Sequence, residues 1–220
     1  MSSIKAIIFD LDNTILDRTS TFRQFTVSFL NTYFGHLEDN QEILERMIDL
    51  DQDGYKDKNV LFHELLEELP WNVKPEHHEL LQFYRNEYVK SAVLMEQALE
   101  VIRYIRKNYK TALITNGRNE IQYGKIDRMG IRDEFDFIIV SEEAGCKKPD
   151  SRIFEAAINH LQLQPEHCIY VGDHPVNDME GAYKAGMETV WMKVNQPWRD
   201  GLSAKPLHTI ERLNELLALF

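Results

Sequence analysis

A chain of 220 residues is long for one minimal domain and short for two full ones, which fits a single domain carrying an insert. With 43% hydrophobic and 28% charged residues it matches neither a disordered nor a collagenous nor a disulfide-stapled chain. The formal charge of -11, from 25 basic and 36 acidic side chains, argues against nucleic acid or an anionic membrane as the main partner.

No apolar run approaches the roughly 20 residues of a membrane helix. The first apolar stretch, Ala6 to Phe9, is short and ends in an acid, unlike a signal peptide. The expectation is a cytoplasmic protein acting on a small molecule, with no membrane partner; composition is silent on oligomeric state. Cys146 and Cys168 match neither a disulfide framework nor a zinc spacing and read as reduced thiols.

In chain order, Ile4 to Phe9 is β-branched, aromatic and nearly all apolar, the pattern of a strand buried on both faces. Residues 17–92 then read as helices only, at about 20–34, 39–50, 58–69 and 76–90, and hold 15 acidic against 8 basic residues. After this inserted helical module, helix and strand alternate. Helices are predicted at 96–107, 118–129, 151–161, 177–185 and 209–219, with strands at 111–115, 137–140, 168–171 and 189–194. Such alternation predicts a doubly wound α/β sheet, with residues 1–16 and 93–220 as the core.

Ligands of open α/β sheets bind beyond the carboxyl ends of the strands, and four of those ends carry reactive groups. The first runs into Asp10-Leu11-Asp12-Asn13-Thr14. The second ends in Thr115-Asn116-Gly117, a hydroxyl followed by two amides that can face an anion at a helix start. Behind the third lies Lys147-Lys148-Pro149-Asp150, and the fourth delivers Gly172-Asp173-His174-Pro175-Val176-Asn177-Asp178. Carboxylates, a hydroxyl, amides and an ammonium group in one crevice describe a site for phosphate and Mg²⁺, which wants hard oxygen ligands.

In this order and spacing, Asp10-Leu11-Asp12-Asn13-Thr14, Thr115, Lys148 before Pro149, and Gly172-Asp173 with Asp178 resemble the four motifs of the haloacid dehalogenase-like superfamily. The likeness is to its small phosphatases with a helical cap inserted after the first strand. The resemblance implies a Rossmann-like core and an all-helical cap. It makes Asp10 the nucleophile and Asp12 the general acid and base, with Thr115, Asn116, Gly117 and Lys148 around the phosphate. It makes Asp10, Asp12 and Asp173 the Mg²⁺ ligands, with Asp178 acting through water or by steadying its neighbours. An acid at Asp12, crowded by Asp10 and Asp173, is expected to hold a proton for the leaving oxygen.

The insert offers a calcium-loop decoy, Asp49, Asp51, Asp53 and Gly54, whose twelfth position is Val60 instead of a bidentate Glu. Its loop 51–58 supplies Tyr55 and Lys58 as candidates for reading the part of the substrate that is not phosphate. His174 is either a substrate contact or a helix cap. Phosphomutases of the same fold usually carry Gly-Val where Asn13-Thr14 stand here, and a dehalogenase lacks the second acid, Asp12. A non-enzymatic regulator using the cap for binding has no need of the acids or of Lys148.

Overall fold

The computed structural model describes residues 3–220. The chain separates into two compact units, Met1–Asp17 with Leu94–Phe220, and Arg18–Val93. The larger unit is built on six parallel strands, β1 (Ala6–Phe9), β2 (Lys110–Thr115), β3 (Phe137–Val140), β4 (Cys168–Gly172), β5 (Glu188–Met192) and β6 (His208–Ile210). Their order is β3-β2-β1-β4-β5-β6. All four residues of β1 are buried, as a strand flanked on both sides and covered on both faces requires.

This order decides where a ligand goes. From β1 the chain proceeds outward to β2 and β3, then returns to the other side of β1 as β4 and proceeds outward the opposite way. A crevice therefore opens between the diverging connections at the carboxyl ends of β1 and β4. The register sets Phe9 level with Leu113 on one side and Val171 on the other. Asp10, Thr115 and Gly172-Asp173 thus emerge together at one edge.

The smaller unit holds α1 (Arg18–Tyr33), α2 (Gln41–Asp51), α3 (Lys58–Glu68) and α4 (His77–Lys90). Phe25, Phe29, Phe62, Leu65, Met47 and Leu80 are each fully buried within it. The rings meet largely tilted or edge to face, as with Phe25 and Tyr88 at 6.1 Å and 88°. Asp57 caps α3 by accepting from the Asn59 and Val60 amides, and Glu79 reaches back 2.8 Å to the Glu76 amide at the head of α4.

The larger unit adds α5 (Ala98–Ile105), α6 (Asn119–Arg128), α7 (Ser141–Ala144), α8 (Ser151–Leu161) and α9 (Gly181–Lys184). Ile153, Phe154, Ala157 and Ile158 of α8 pack on Ile8, Ile114 and Tyr170 of the sheet.

Two sequence expectations give way. The C-terminal segment at 209–219 is not a helix, because His208–Ile210 adds a sixth parallel strand to β5 with only Ile210 buried. Leu213 and Leu216, three apart, are then buried by a short 3₁₀ segment, Leu213–Ala218, whose turn places every third residue on one face. The segment at 177–185 is split as well: Pro175–Glu180 winds as wide π-type turns before α9, the Asp178 and Met179 amides sharing the His174 carbonyl at 2.9 and 3.3 Å.

Candidate active site

Asp10 leaves β1 with its amide on the Val171 carbonyl at 2.8 Å, and its side chain is buried. Beyond it the chain turns sharply, with the Leu11 carbonyl accepting from the amides of Thr14, Ile15 and Leu16, and Asn13 takes a left-handed conformation at φ 60°. Of the two lysines behind β3, Lys147 is exposed and Lys148 is 3% exposed. The Lys148 ammonium lies 2.5 Å from Asp10 Oδ1, 2.6 Å from Asp178 Oδ1, 2.9 Å from the Tyr170 hydroxyl and 3.2 Å from the Ile114 carbonyl.

Backbone placement explains how a lysine is held so deep. The Asn116 side chain bonds Lys148 in both directions, accepting from its amide at 2.9 Å and donating to its carbonyl at 3.0 Å. Tyr170 in β4 donates to the Ile114 carbonyl at 3.1 Å and so fixes the hydroxyl that meets the ammonium. On the far side, Asp178 Oδ2 accepts from the His174 amide at 2.9 Å. Glycine is required at Gly172, where a Cβ would lie 2.6 Å from the Asp178 carboxyl. The Asp173 carbonyl is held by the Trp191 indole at 2.8 Å.

One carboxylate oxygen from each of Asp10, Asp173 and Asp178 lies within 4.8 Å of the others. Three buried acids face one ammonium, and two of them, Asp10 and Asp173, are shifted upward. Burial, opposed by Lys148 and reinforced by Asp178, pushes Asp10 up to about 7. Burial, with Asp178 and Asp10, raises Asp173 well above the usual carboxylate range. For Lys148 burial works against the charge, but Asp10 and Asp178 outweigh it and hold the ammonium protonated far above its ordinary range. The three converging carboxylate oxygens, with no His or Cys in the group, fit a hard divalent cation such as Mg²⁺, which would supply the missing positive charge.

The structure distributes the remaining candidates differently from the sequence expectation. Asp12 is not part of that cluster: Lys125 Nζ stands 2.6 and 2.8 Å from its two carboxylate oxygens, and Gln122 Nε2 donates to it at 2.9 Å. The carboxylate oxygens of Asp12 thus face an ammonium and an amide, and its charge is also felt at Asp10, where it helps to raise the pKa. Thr115 Oγ1 is buried and accepts from the same Gln122 nitrogen at 2.5 Å. The Asn116 side chain serves the Lys148 backbone, and the Gly117 amide donates to Ser141 Oγ at 3.0 Å. His174 is a cap: its Nδ1 accepts from the Val176 and Asn177 amides at 3.1 and 3.0 Å, and burial lowers its pKa, keeping the ring neutral.

In the insert, Lys58 Nζ lies 2.7 Å from Asp51, which is 1% exposed and also meets Arg18 at 2.6 Å. Lys58 is committed to that buried pair, and Asp51 is no calcium ligand; Tyr55 remains 55% exposed. Gln122, Lys125 and Tyr170 were not anticipated from the sequence.

A buried strand-end carboxylate paired with an ammonium, beside further acids at the switch point of a parallel sheet, is a charged centre where open α/β folds bind their ligands. A sequence model of haloacid dehalogenase-like hydrolases matches residues 7–192, and the chain belongs to that family. It is 28% identical over 217 residues to a pyrimidine 5′-nucleotidase of Escherichia coli, covering 96% of this chain and 95% of that one. It is 27% identical over 197 residues to a glyceraldehyde 3-phosphate phosphatase of Pyrococcus furiosus, covering 88% and 82%. Its fold matches a magnesium-bound hydrolase of the family from Bacillus subtilis, YfnB, with a TM-score of 0.81 at 24% identity over 99% of both chains. By class the chain is a phosphoric monoester hydrolase.

Proposed function

We propose that the protein hydrolyses a small phosphorylated metabolite, a sugar phosphate or a nucleoside monophosphate, in two steps with Asp10 as nucleophile. The observation that carries this reading is the buried Asp10 carboxylate with Lys148 at 2.5 Å, at the carboxyl end of β1. Two relatives so unlike in substrate as a nucleotidase and a triose phosphate phosphatase support the shared phosphate chemistry.

Mg²⁺ held by Asp10, Asp173 and Asp178 would supply positive charge where the phosphoryl group gathers negative charge. Lys148 does the same from the protein side, and it also removes the repulsion between an anionic nucleophile and an anionic substrate. An Asp10 oxygen bonds to phosphorus as the ester P–O bond breaks, and Asp12 gives its proton to the departing oxygen. Asp12, now a base, takes a proton from the water that attacks the aspartyl phosphate. Phosphate leaves and the Asp10 carboxylate returns.

The test is phosphate release from a panel of phosphorylated metabolites at low concentration, with and without Mg²⁺, by the wild type and Asp10→Asn. The amide keeps the shape and loses the nucleophile, so kcat should fall at least ~10³-fold in a folded protein. Retention of more than a tenth of the activity would sink the assignment.

A further inference from the structure

Lys125 is 1% exposed, a burial rare for a lysine without a partner, and Gln122 is 3% exposed. They lie three residues apart on α6, on a buried face that also holds Ile121 and Ile126. A helix that spends two positions of its inward stripe on polar residues requires partners for them there, or the burial is strongly unfavourable. Those partners belong to the reaction: Lys125 takes both oxygens of Asp12, and Gln122 Nε2 donates at once to Asp12 and to the Thr115 hydroxyl. An amide nitrogen has two protons, and these two bonds use both.

The geometry points to α6 as a strut for the acid–base step: we infer that Lys125 and Gln122 are positioning residues that hold the Asp12 carboxylate in one orientation. Gln122 also leaves the Thr115 hydroxyl, having accepted one bond, with its proton to give to an anion. A third observation is independent of the side-chain bonds. Gly117 has φ +150°, and a Cβ there would lie 2.8 Å from the Gln122 side chain, so the turn after β2 is shaped to admit that glutamine. The inference rests on the proposed role of Asp12 and adds residues to it; neither Lys125 nor Gln122 touches the reacting phosphorus in this account.

A strut acting through Asp12 has a signature that a structural role lacks. Alkyl phosphates need a proton on the leaving oxygen and activated aryl phosphates hardly do, so losses should separate by leaving group. A misplacement on the order of 1 Å is worth up to ~10²-fold, so Lys125→Met should lower kcat/KM ~10- to 100-fold on an alkyl phosphate. On 4-nitrophenyl phosphate kcat/KM, which ends with departure of the leaving oxygen, should stay within about threefold, whereas kcat, which includes the water step that also uses Asp12, should fall on both esters. Lys125→Arg, which keeps charge and reach, should recover most of the alkyl activity. Lys125→Met added to Asp12→Asn should cost nothing further, because the residue it positions is already disabled. Gln122→Leu should in addition raise KM, through Thr115.

Equal losses of kcat/KM on both esters, or additive losses in the double variant, would overturn the strut. Lys125→Gln, uncharged but still a donor, serves if the Met variant does not fold. Independently of turnover, a crystal structure of the Lys125 variant should show the Asp12 carboxylate in more than one rotamer, and a single unchanged rotamer refutes the inference. Asp10→Asn in the same series separates the two failures: an active Asp10 variant rejects the reaction, whereas an inactive one without the leaving-group pattern rejects only the strut.

Discussion

Magnesium and protons should compete for the same cluster, and the pH dependence of metal binding measures how strongly. With no cation present, burial first, and then the neighbouring carboxylates, push Asp10 up to about 7 and Asp173 well above the carboxylate range. Each proton that must leave on binding makes the apparent affinity rise about tenfold per pH unit below the pKa. Between pH 5.5 and 7.0, Asp10 alone gives roughly 16-fold tighter Mg²⁺ binding, and a proton released by Asp173 as well gives up to ~500-fold. The same shift acts on folding. Asp10 binds protons more tightly folded than unfolded, so the metal-free protein loses stability as pH rises from 3.8 towards about 7. The loss is on the order of 4 kcal/mol if the whole shift is expressed. Calorimetric titration with Mg²⁺ in two buffers of different ionisation enthalpy counts the released protons, and melting curves with EDTA read the stability. A binding constant flat from pH 5.5 to 7.0 would refute the reasoning, because it would mean that the cluster is already ionised without metal.

Asp10→Asn should raise the melting temperature of the metal-free protein at pH 8 while abolishing turnover, a gain that differential scanning calorimetry detects and that a merely structural Asp10 would not give. Lys58→Ala should destabilise by roughly 1–3 kcal/mol in urea titrations, because it strips one partner from buried Asp51, and should lower turnover of all esters alike. Tyr55→Ala, at an exposed position, should leave stability unchanged. If it reads the substrate, it should cost about 1–2 kcal/mol in kcat/KM on the native metabolite and little on a small aryl phosphate. Equal effects on both would return Tyr55 to ordinary surface.

Strands were legible where burial on both faces left a single reading. Ala6–Phe9 and Cys168–Gly172 are runs bounded by polar residues and buried along their whole length, and nothing else short enough fits them. His208–Ile210 escaped because an edge strand buries only one of its three residues, and the leucines that follow mimic helical spacing. The π-type turns at Pro175–Glu180 escaped for another reason: their sequence is that of a helix, and the extra residue per turn is set by Asp178 folding back on Gly172.

The same contrast runs through the site. Asp10, Lys148, Asp173 and Asp178 stand at strand ends, where an acid or a lysine needs a reason, and the structure gathers all four around one ammonium–carboxylate centre. Gln122 and Lys125 stand mid-helix, where such residues normally face water. The available signal was their place between Ile121 and Ile126, which put them on the inward stripe. Tyr170 is harder still, since a tyrosine in a buried strand reads as core and only its hydroxyl, 2.9 Å from Lys148, shows the second role. Residues that react announce themselves by standing where a fold has no use for them. Residues that steady the reacting groups occupy positions the fold already fills, and they become visible only when the partner of each buried polar atom is identified.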